Sequence, residues 1–460
     1  MHDFTPDLGR LADRIVDYAR WRVGLDPVPL DATASPEALE ARAGATVTPE
    51  GLGGERALAL FAEVLAPHCL SVDHPGYLAF VPAAPTEAAV LFDLVVGASS
   101  IYAGSWLEGA GAVYAENQAL AWLAGLAMLP EGAGGCFVSG GTIGNLSALV
   151  AARHRAAARS VSTGSTASTG SAAGRTERWA LVASEESHSS IAAAARVMDA
   201  ELVLVPGDGR GRLVGAAVAP ALDDLGDRVA AVVATAGTTN LGIVDDLASV
   251  GALCRSRGVW FHVDAAYGGA GLAAPSVRQR FDGIEHADSL IVDPHKWLFA
   301  PFDACALIYR DPESARAAHA QHASYLDVLK THGDWNPSDF AVHLTRRARG
   351  LPFWFSLATH GTDAYRAAIE ATLQLAGAAA AMIAAAAHLE LVVEPSLSVV
   401  VFRRKGWEEH DYLRWCEDLR GRGQAFVVPT RYRGEPVLRF CFVNPRTTVE
   451  LVSEILATLG

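Results

Sequence analysis

Cysteine is sparse and scattered: six in 460 residues, at positions 69, 136, 254, 305, 416 and 441. No pair has the C-x-x-C spacing of a metal or redox centre, and such usage in a long chain reads as a reducing, cytoplasmic setting. No G-x-x-x-x-G-K-[ST] loop is present, which argues against a nucleotide-hydrolysing enzyme. The first 30 residues carry Asp3, Asp7, Asp13 and Asp17 around no apolar core, so no export signal is expected. No run of about 18 uninterrupted apolar residues occurs, so no membrane span is expected; the Ala-rich residues 373–387 read as a packed helix. Basic residues are in deficit, 37 against 51 acidic, leaving a net charge of −14. That balance argues against nucleic acid or an anionic membrane as partner.

What is present is ample apolar material, 51% of the chain, and a length that suggests two or three domains. Strands and helices alternate through residues 135–310, the pattern of an α/β layered fold with a mainly parallel sheet. Within it, residues 289–292 read as a short buried strand ended by Pro294, with His295, Lys296 and Trp297 on the turn that follows. Burial disfavours an ammonium and lowers a lysine pKa, and a neutral amine can form a Schiff base. The plainer alternative is a lysine whose stem packs on Trp297. A second apolar run, 259–267, ends near Asp264, which lies 32 residues before Lys296, about one strand-connection-strand unit. In a parallel sheet both side chains emerge at the carboxyl edge, where open α/β sheets bind ligands. A lysine that holds an aldehyde carbon and a carboxylate that pairs with a pyridine nitrogen are what pyridoxal phosphate needs. Upstream, Ser-Gly-Gly-Thr-Ile-Gly-Asn (139–145) follows a short strand and opens a helix. This places free N–H groups and a hydroxyl where a phosphate can sit.

The motifs Val-Asp-Pro-His-Lys-Trp (292–297) and His-Val-Asp-Ala-Ala-Tyr (262–267), joined to the Gly-Gly-Thr turn, resemble those of the group II pyridoxal-phosphate decarboxylases, the relatives of aromatic-amino-acid decarboxylase. The resemblance runs from about Leu8 to the C-terminus. It implies a fold-type I transferase architecture, aspartate aminotransferase-like. A mainly parallel large domain (73–345) would follow an N-terminal arm that dimerises (1–72), and a small α+β domain (346–460) would end the chain. It implies that Lys296 carries the cofactor, Asp264 pairs with its ring nitrogen, and Gly141 and Thr142 hold its phosphate. His188 would stack on the ring and meet the substrate carboxylate, Thr239 would lie near the phenolate oxygen, and Ala266, Asp293 and His295 would complete the cofactor site. Of the flanking residues, Ser187 or Ser189 can cap the helix after His188.

The loop at 73–82 supplies Tyr77, Phe80 and Val81 as candidate pocket residues, with ordinary packing as the alternative. Family relatives carry a bulky aromatic near position 104 and a small residue near 102. Here Gly104 and Tyr102 exchange those sizes, so Tyr102 joins the pocket candidates, within a strand-like piece at 97–106. Residues 324–345 lack a period and form a long loop of the kind that is usually functional. The family places a tyrosine there that protonates the intermediate after carbon dioxide leaves. No tyrosine stands between 326 and 346; Phe340 is the nearest analogue, with Trp335, His332 and His343 as alternatives. The expected activity is decarboxylation of an L-amino acid with an aromatic or apolar side chain to an amine, a lyase reaction of amino-acid metabolism in a homodimer. Phenylalanine in place of the loop tyrosine raises a rival, oxygen-dependent conversion to an aldehyde. A second rival is a non-catalytic interaction subunit, which the joint presence of Lys296, Asp264 and His188 opposes.

Overall fold

The computed structural model describes residues 3–162, 178–321, 324 and 335–460. Most of the low-complexity Ser/Thr/Gly/Ala stretch from Ser160, and position 332, lie outside the described residues. Seven strands form the large sheet: β1 (Gly134–Val138), β2 (Ala180–Ser184), β3 (Glu201–Val205), β4 (Val229–Thr235), β5 (Trp260–Asp264), β6 (Ser289–Val292) and β7 (Cys305–Tyr309). Their order is β1-β7-β6-β5-β4-β2-β3. From β6 to β3 every pairing is parallel, and β7 alone runs against both its neighbours. Five central strands and β1 are buried along their whole length. That is why they read as unbroken apolar runs rather than as alternations: helices cover both faces. Two separate apolar clusters, one around Phe261, Val263 and Trp297 and one around Trp260, Ile291 and Leu307, occupy those faces.

A second sheet of four antiparallel strands, β8 (Leu389–Val393), β9 (Val399–Arg404), β10 (Thr430–Tyr432) and β11 (Glu435–Cys441), has the order β10-β11-β9-β8. The helices Thr362–Ala385, Glu409–Gly421 and Val449–Ala457 pack with it around a third core. By length and composition the helix Thr362–Ala385 could cross a membrane. It buries Tyr365, Ile369, Leu375, Ala376, Ala379 and Ile383 against this sheet and the large domain.

One local reading changes. Residues 97–106 contain no strand: Gly97 lies in the last turn of the helix Glu87–Ser99, and Tyr102 makes a single bridge to Arg347. Residues 426–430 are mostly irregular, with Phe426 bridged to Tyr77 and β10 starting at Thr430. At the N-terminus the helix Pro6–Val23 is capped by Thr5 and buries no residue, leaving Leu8, Ile15, Val16 and Trp21 exposed.

Candidate active site

The carboxyl edge of the large sheet gathers the chemistry. β4 and β5 pair with Thr235 opposite Asp264, and β5 and β6 with Asp264 opposite Ile291. The turn after β6 therefore starts one strand away from Asp264. Four residues on, Lys296 enters a cavity of about 400 Å³. Phe80, Val81, Gly141, Thr142, His188, Thr239, Asp264, Ala266, Asp293 and His295 line the same cavity.

Lys296 Nζ lies 2.8 Å from Asp293 Oδ2, three residues earlier on the turn, and His295 Nε2 lies 3.8 Å from the same oxygen. This corrects the expected direction of the lysine pKa. Burial alone would lower it, but the Asp293 carboxylate in contact, with Asp264 adding to the field, raises Lys296 above its ordinary value. Burial would likewise raise Asp293, yet Lys296 and His295 hold its carboxyl below the usual range. Nor does the lysine stem find its partner in Trp297. That indole is fully buried, stacked on Tyr267 at 5.3 Å and donating to Thr372 Oγ1 at 2.9 Å. Tyr267 in turn shares a 2.6 Å hydrogen bond with Ser398, which ties the site to the start of β9 in the second sheet.

Asp264 is 5% exposed; its Oδ1 accepts from Ala266 N and its Oδ2 from Asn145 Nδ2, at 3.1 and 2.8 Å. His188 itself is the N-cap of the helix Ser189–Val197, its Nδ1 accepting from Ser190 N, so neither Ser187 nor Ser189 caps it. Asp246 caps the helix Leu247–Arg257 through Ser249 N, whereas Asp245 is buried and accepts from Leu213 N and Thr235 N, both at 2.7 Å. Gly237, at φ +106°, makes the bend between β4 and Thr239; a Cβ there would meet Tyr267 Cδ1 at 2.9 Å.

Five candidates fall outside the cavity. Tyr77 packs edge-on against Phe426 at 5.0 Å, where burial raises its phenol pKa. Tyr102 donates to Leu344 O at 3.1 Å, and its phenol lies where a side chain at 104 would stand, the hydroxyl 2.4 Å from a Cβ built there. The exchange of sizes between 102 and 104 is thus one packing solution. Phe340 is fully buried beneath Trp335, ring centroids 4.5 Å apart, with the Arg316 guanidinium over it. It belongs to the apolar cluster that also holds Leu307 and Tyr309 and is not among the residues that line the cavity. Trp335 donates to Gly135 O at 3.0 Å, and His343, pushed down to about 4 by burial, faces Pro337 O. Neither lines the cavity.

The residues present fit pyridoxal phosphate. Asp293 Oδ1 and Thr235 Oγ1 are buried without a hydrogen-bond partner among the described residues. The helix Gly141–Ser162 begins at the cavity, where its first N–H groups have no acceptor within the helix. A Cβ at Gly141 would press on Asp293 Oδ2 at 3.2 Å and narrow the cradle. Sequence reasoning missed Asn145, Ser190, Thr235, His262 and Arg439. Asn145 lies four residues after Gly141, on the same helix face, and His262 two before Asp264, on the same strand face; those periodicities could have found them. Arg439 gave no such signal. It donates to Phe80 O at 2.7 Å from β11 of the second sheet, and its Nε and Nη2 are buried without a partner among the described residues.

The family model described as the pyridoxal-dependent decarboxylase conserved domain matches residues 52–405. The chain belongs to that family. It is similar to an aromatic-L-amino-acid decarboxylase from Bacillus atrophaeus, 30% identical over 84% of this chain and 80% of the relative. An L-2,4-diaminobutyrate decarboxylase from Rhizobium meliloti is 33% identical over 89% and 82%. The Oryza sativa TDC solved with PLP and tryptamine superposes with a TM-score of 0.87 at 25% identity, covering 99% of this chain and 98% of that one. The protein is accordingly a pyridoxal-phosphate-dependent amino-acid decarboxylase, a lyase of fold-type I.

Proposed function

We propose that this decarboxylase acts on an L-amino acid with an aromatic or apolar side chain and releases the amine. The observation that carries the site assignment is the meeting of Lys296, Asp264 and the Gly141–Thr142 helix start in one cavity. When bound, pyridoxal phosphate supplies an aldehyde carbon and a ring that takes up the electron pair left as carbon dioxide departs. Lys296 would hold the aldehyde, and Asp293, 2.8 Å from Nζ, would take or return the amine proton. Asp264 would keep a proton on the ring nitrogen. Gly141 and Thr142 would hold the phosphate; Ala266 and His295 line the same chamber, and Thr239 and His188 would orient the substrate carboxylate. Phe80, Val81 and Phe302 give the cavity an apolar wall, which supports the side-chain preference.

The oxygen-dependent route to an aldehyde rested on Phe340 and loses that support with its burial. Lys296→Ala is expected to abolish both the visible absorption of the cofactor-loaded protein and carbon dioxide release; persistence of that absorption would refute the assignment. An amino-acid panel that includes 2,4-diaminobutyrate, with products identified by mass spectrometry with and without oxygen, tests substrate and product. Amine formation from aromatic substrates without peroxide is expected.

The exposed apolar side chains of the helix Pro6–Val23 support a homodimer built through an N-terminal arm, residues 1–72. Residues 73–345 and 346–460 are assigned to a large and a small domain. The free state of all six cysteines is consistent with a cytoplasmic setting, and the acidic net charge with neither nucleic acid nor membrane as partner.

A further inference from the structure

Asn145 is 1% exposed, and its amide gives each hydrogen-bonding group to a different partner. Nδ2 donates to Asp264 Oδ2 and to Ser190 Oγ, both at 2.8 Å, and Oδ1 lies 2.8 Å from His262 Nε2. Turned over, the amide would set its oxygen against the Asp264 carboxylate, so its orientation is fixed. His262 must then donate from Nε2. Its Nδ1 lies 2.8 Å from Ser289 Oγ, which already accepts from Trp260 Nε1 at 2.8 Å, so the Ser289 hydroxyl hydrogen goes to His262. On the other branch Ser190 Oγ, having accepted from Asn145, gives its hydrogen to His188 Nδ1 at 2.8 Å, where Ser190 N also donates. Every proton from Trp260 to His188 is thereby assigned, and His188 keeps its own on Nε2. The titratable groups that face this network are His262 and His188 within it, and Lys296 and Cys305, which lie within electrostatic reach of Asp264.

We propose that Asn145 is a positioning residue whose single amide orients the Asp264 carboxylate and, through Ser190, the His188 imidazole. The inference rests on the assignment of Asp264 and His188 to the cofactor. Asn145→Asp is nearly isosteric. Ionised, it would set a second carboxylate against Asp264, and the repulsion raises the pKa of the pair's second proton. Protonated, it regains an O–H to donate. Binding of pyridoxal phosphate to the stripped protein, followed by visible absorption at pH 6 and pH 8.5, reads the difference. Relative to the unsubstituted protein at the same pH, Asn145→Asp is expected to bind on the order of tenfold more weakly at pH 8.5 and to recover most of that loss at pH 6. Asn145→Ala is expected to bind weakly at both. A ratio for Asn145→Asp that does not change with pH, whatever its size, overturns the proposal. Should that variant not fold, His262→Gln and His262→Phe replace it: glutamine can donate to Asn145 Oδ1 and phenylalanine cannot. Retained affinity in the first and a loss of roughly tenfold in the second are expected; equal affinities overturn it. Failure of the unsubstituted protein to bind pyridoxal phosphate would instead overturn the cofactor assignment.

Discussion

Lysine stands at positions 296, 330 and 405 and nowhere else in the chain. At 296 its charge is retained because Asp293, on the same turn, supplies a counter-charge that outweighs burial. Burial was the part of that balance legible in the run of apolar residues; the partner was in view too, but only the turn's geometry brings an i, i+3 carboxylate to 2.8 Å. His262 has the opposite fate. Burial pushes it down to about 4, with Asp264 only partly opposing. Between its ordinary value near 6.5 and about 4, the unfolded chain binds a proton that the native state refuses. Stability contributed by neutral His262 is therefore full above about pH 6.5 and falls as pH is lowered through that window. From pH 7 to pH 5 the loss amounts to about 2 kcal/mol. Urea unfolding at the two pH values is expected to show that His262→Gln loses less than the parent by about that amount; parallel losses would contradict it.

The helix Trp106–Leu126 and the segment that leads into the helix Leu351–His360 are joined by one buried pair. Arg346 and Glu116 side chains are 1% and 2% exposed, 2.7 Å apart, and Glu116 also accepts from Gly350 N at 2.8 Å. Glu116→Gln keeps the shape and removes the charge, leaving a guanidinium buried and unneutralised. A destabilisation of roughly 3 kcal/mol is expected, measured by denaturant unfolding; a change below about 1 kcal/mol would mean that the pair is relaxed by solvent. Elements of this kind were unevenly legible. The strand at 289–292 and the helix at 247–257 could be bounded from sequence, because Pro294 and Gly258 punctuate them and their apolar patterns are unmixed. The stretch 97–106 could not: its first three residues close the helix Glu87–Ser99, in which the preceding β-branched Val95 and Val96 are held by packing against Leu351–His360. In the site, Lys296, Asp264 and the Gly141–Thr142 turn announce themselves by motifs contained within single elements. Asn145, Ser190 and His262 act only as a set drawn from three elements, which spacing along the chain does not display. Phe340 failed for the converse reason: position in a loop says nothing about which side of the sheet a ring will enter.

At the scale of the molecule, the helix Pro6–Val23 presents Trp21, 57% exposed, together with Leu8, Ile15 and Val16. Four large apolar side chains left in solvent on one helix call for a cover. If a second copy supplies it, Trp21→Glu will shift the sedimenting species from dimer toward monomer in analytical ultracentrifugation, and an unchanged mass would remove the helix from the interface. A different constraint comes from β7, the strand laid against the run of its neighbours. Because it starts at the edge where β6 ends, the backbone from Lys296 to Cys305 never travels to the far rim and back. A crossover can lengthen around a helix without disturbing its endpoints; this short tether has no such slack. Insertions should be tolerated in the other connections of the sheet far better than here, where one added residue would shift the amine against the helix start at Gly141.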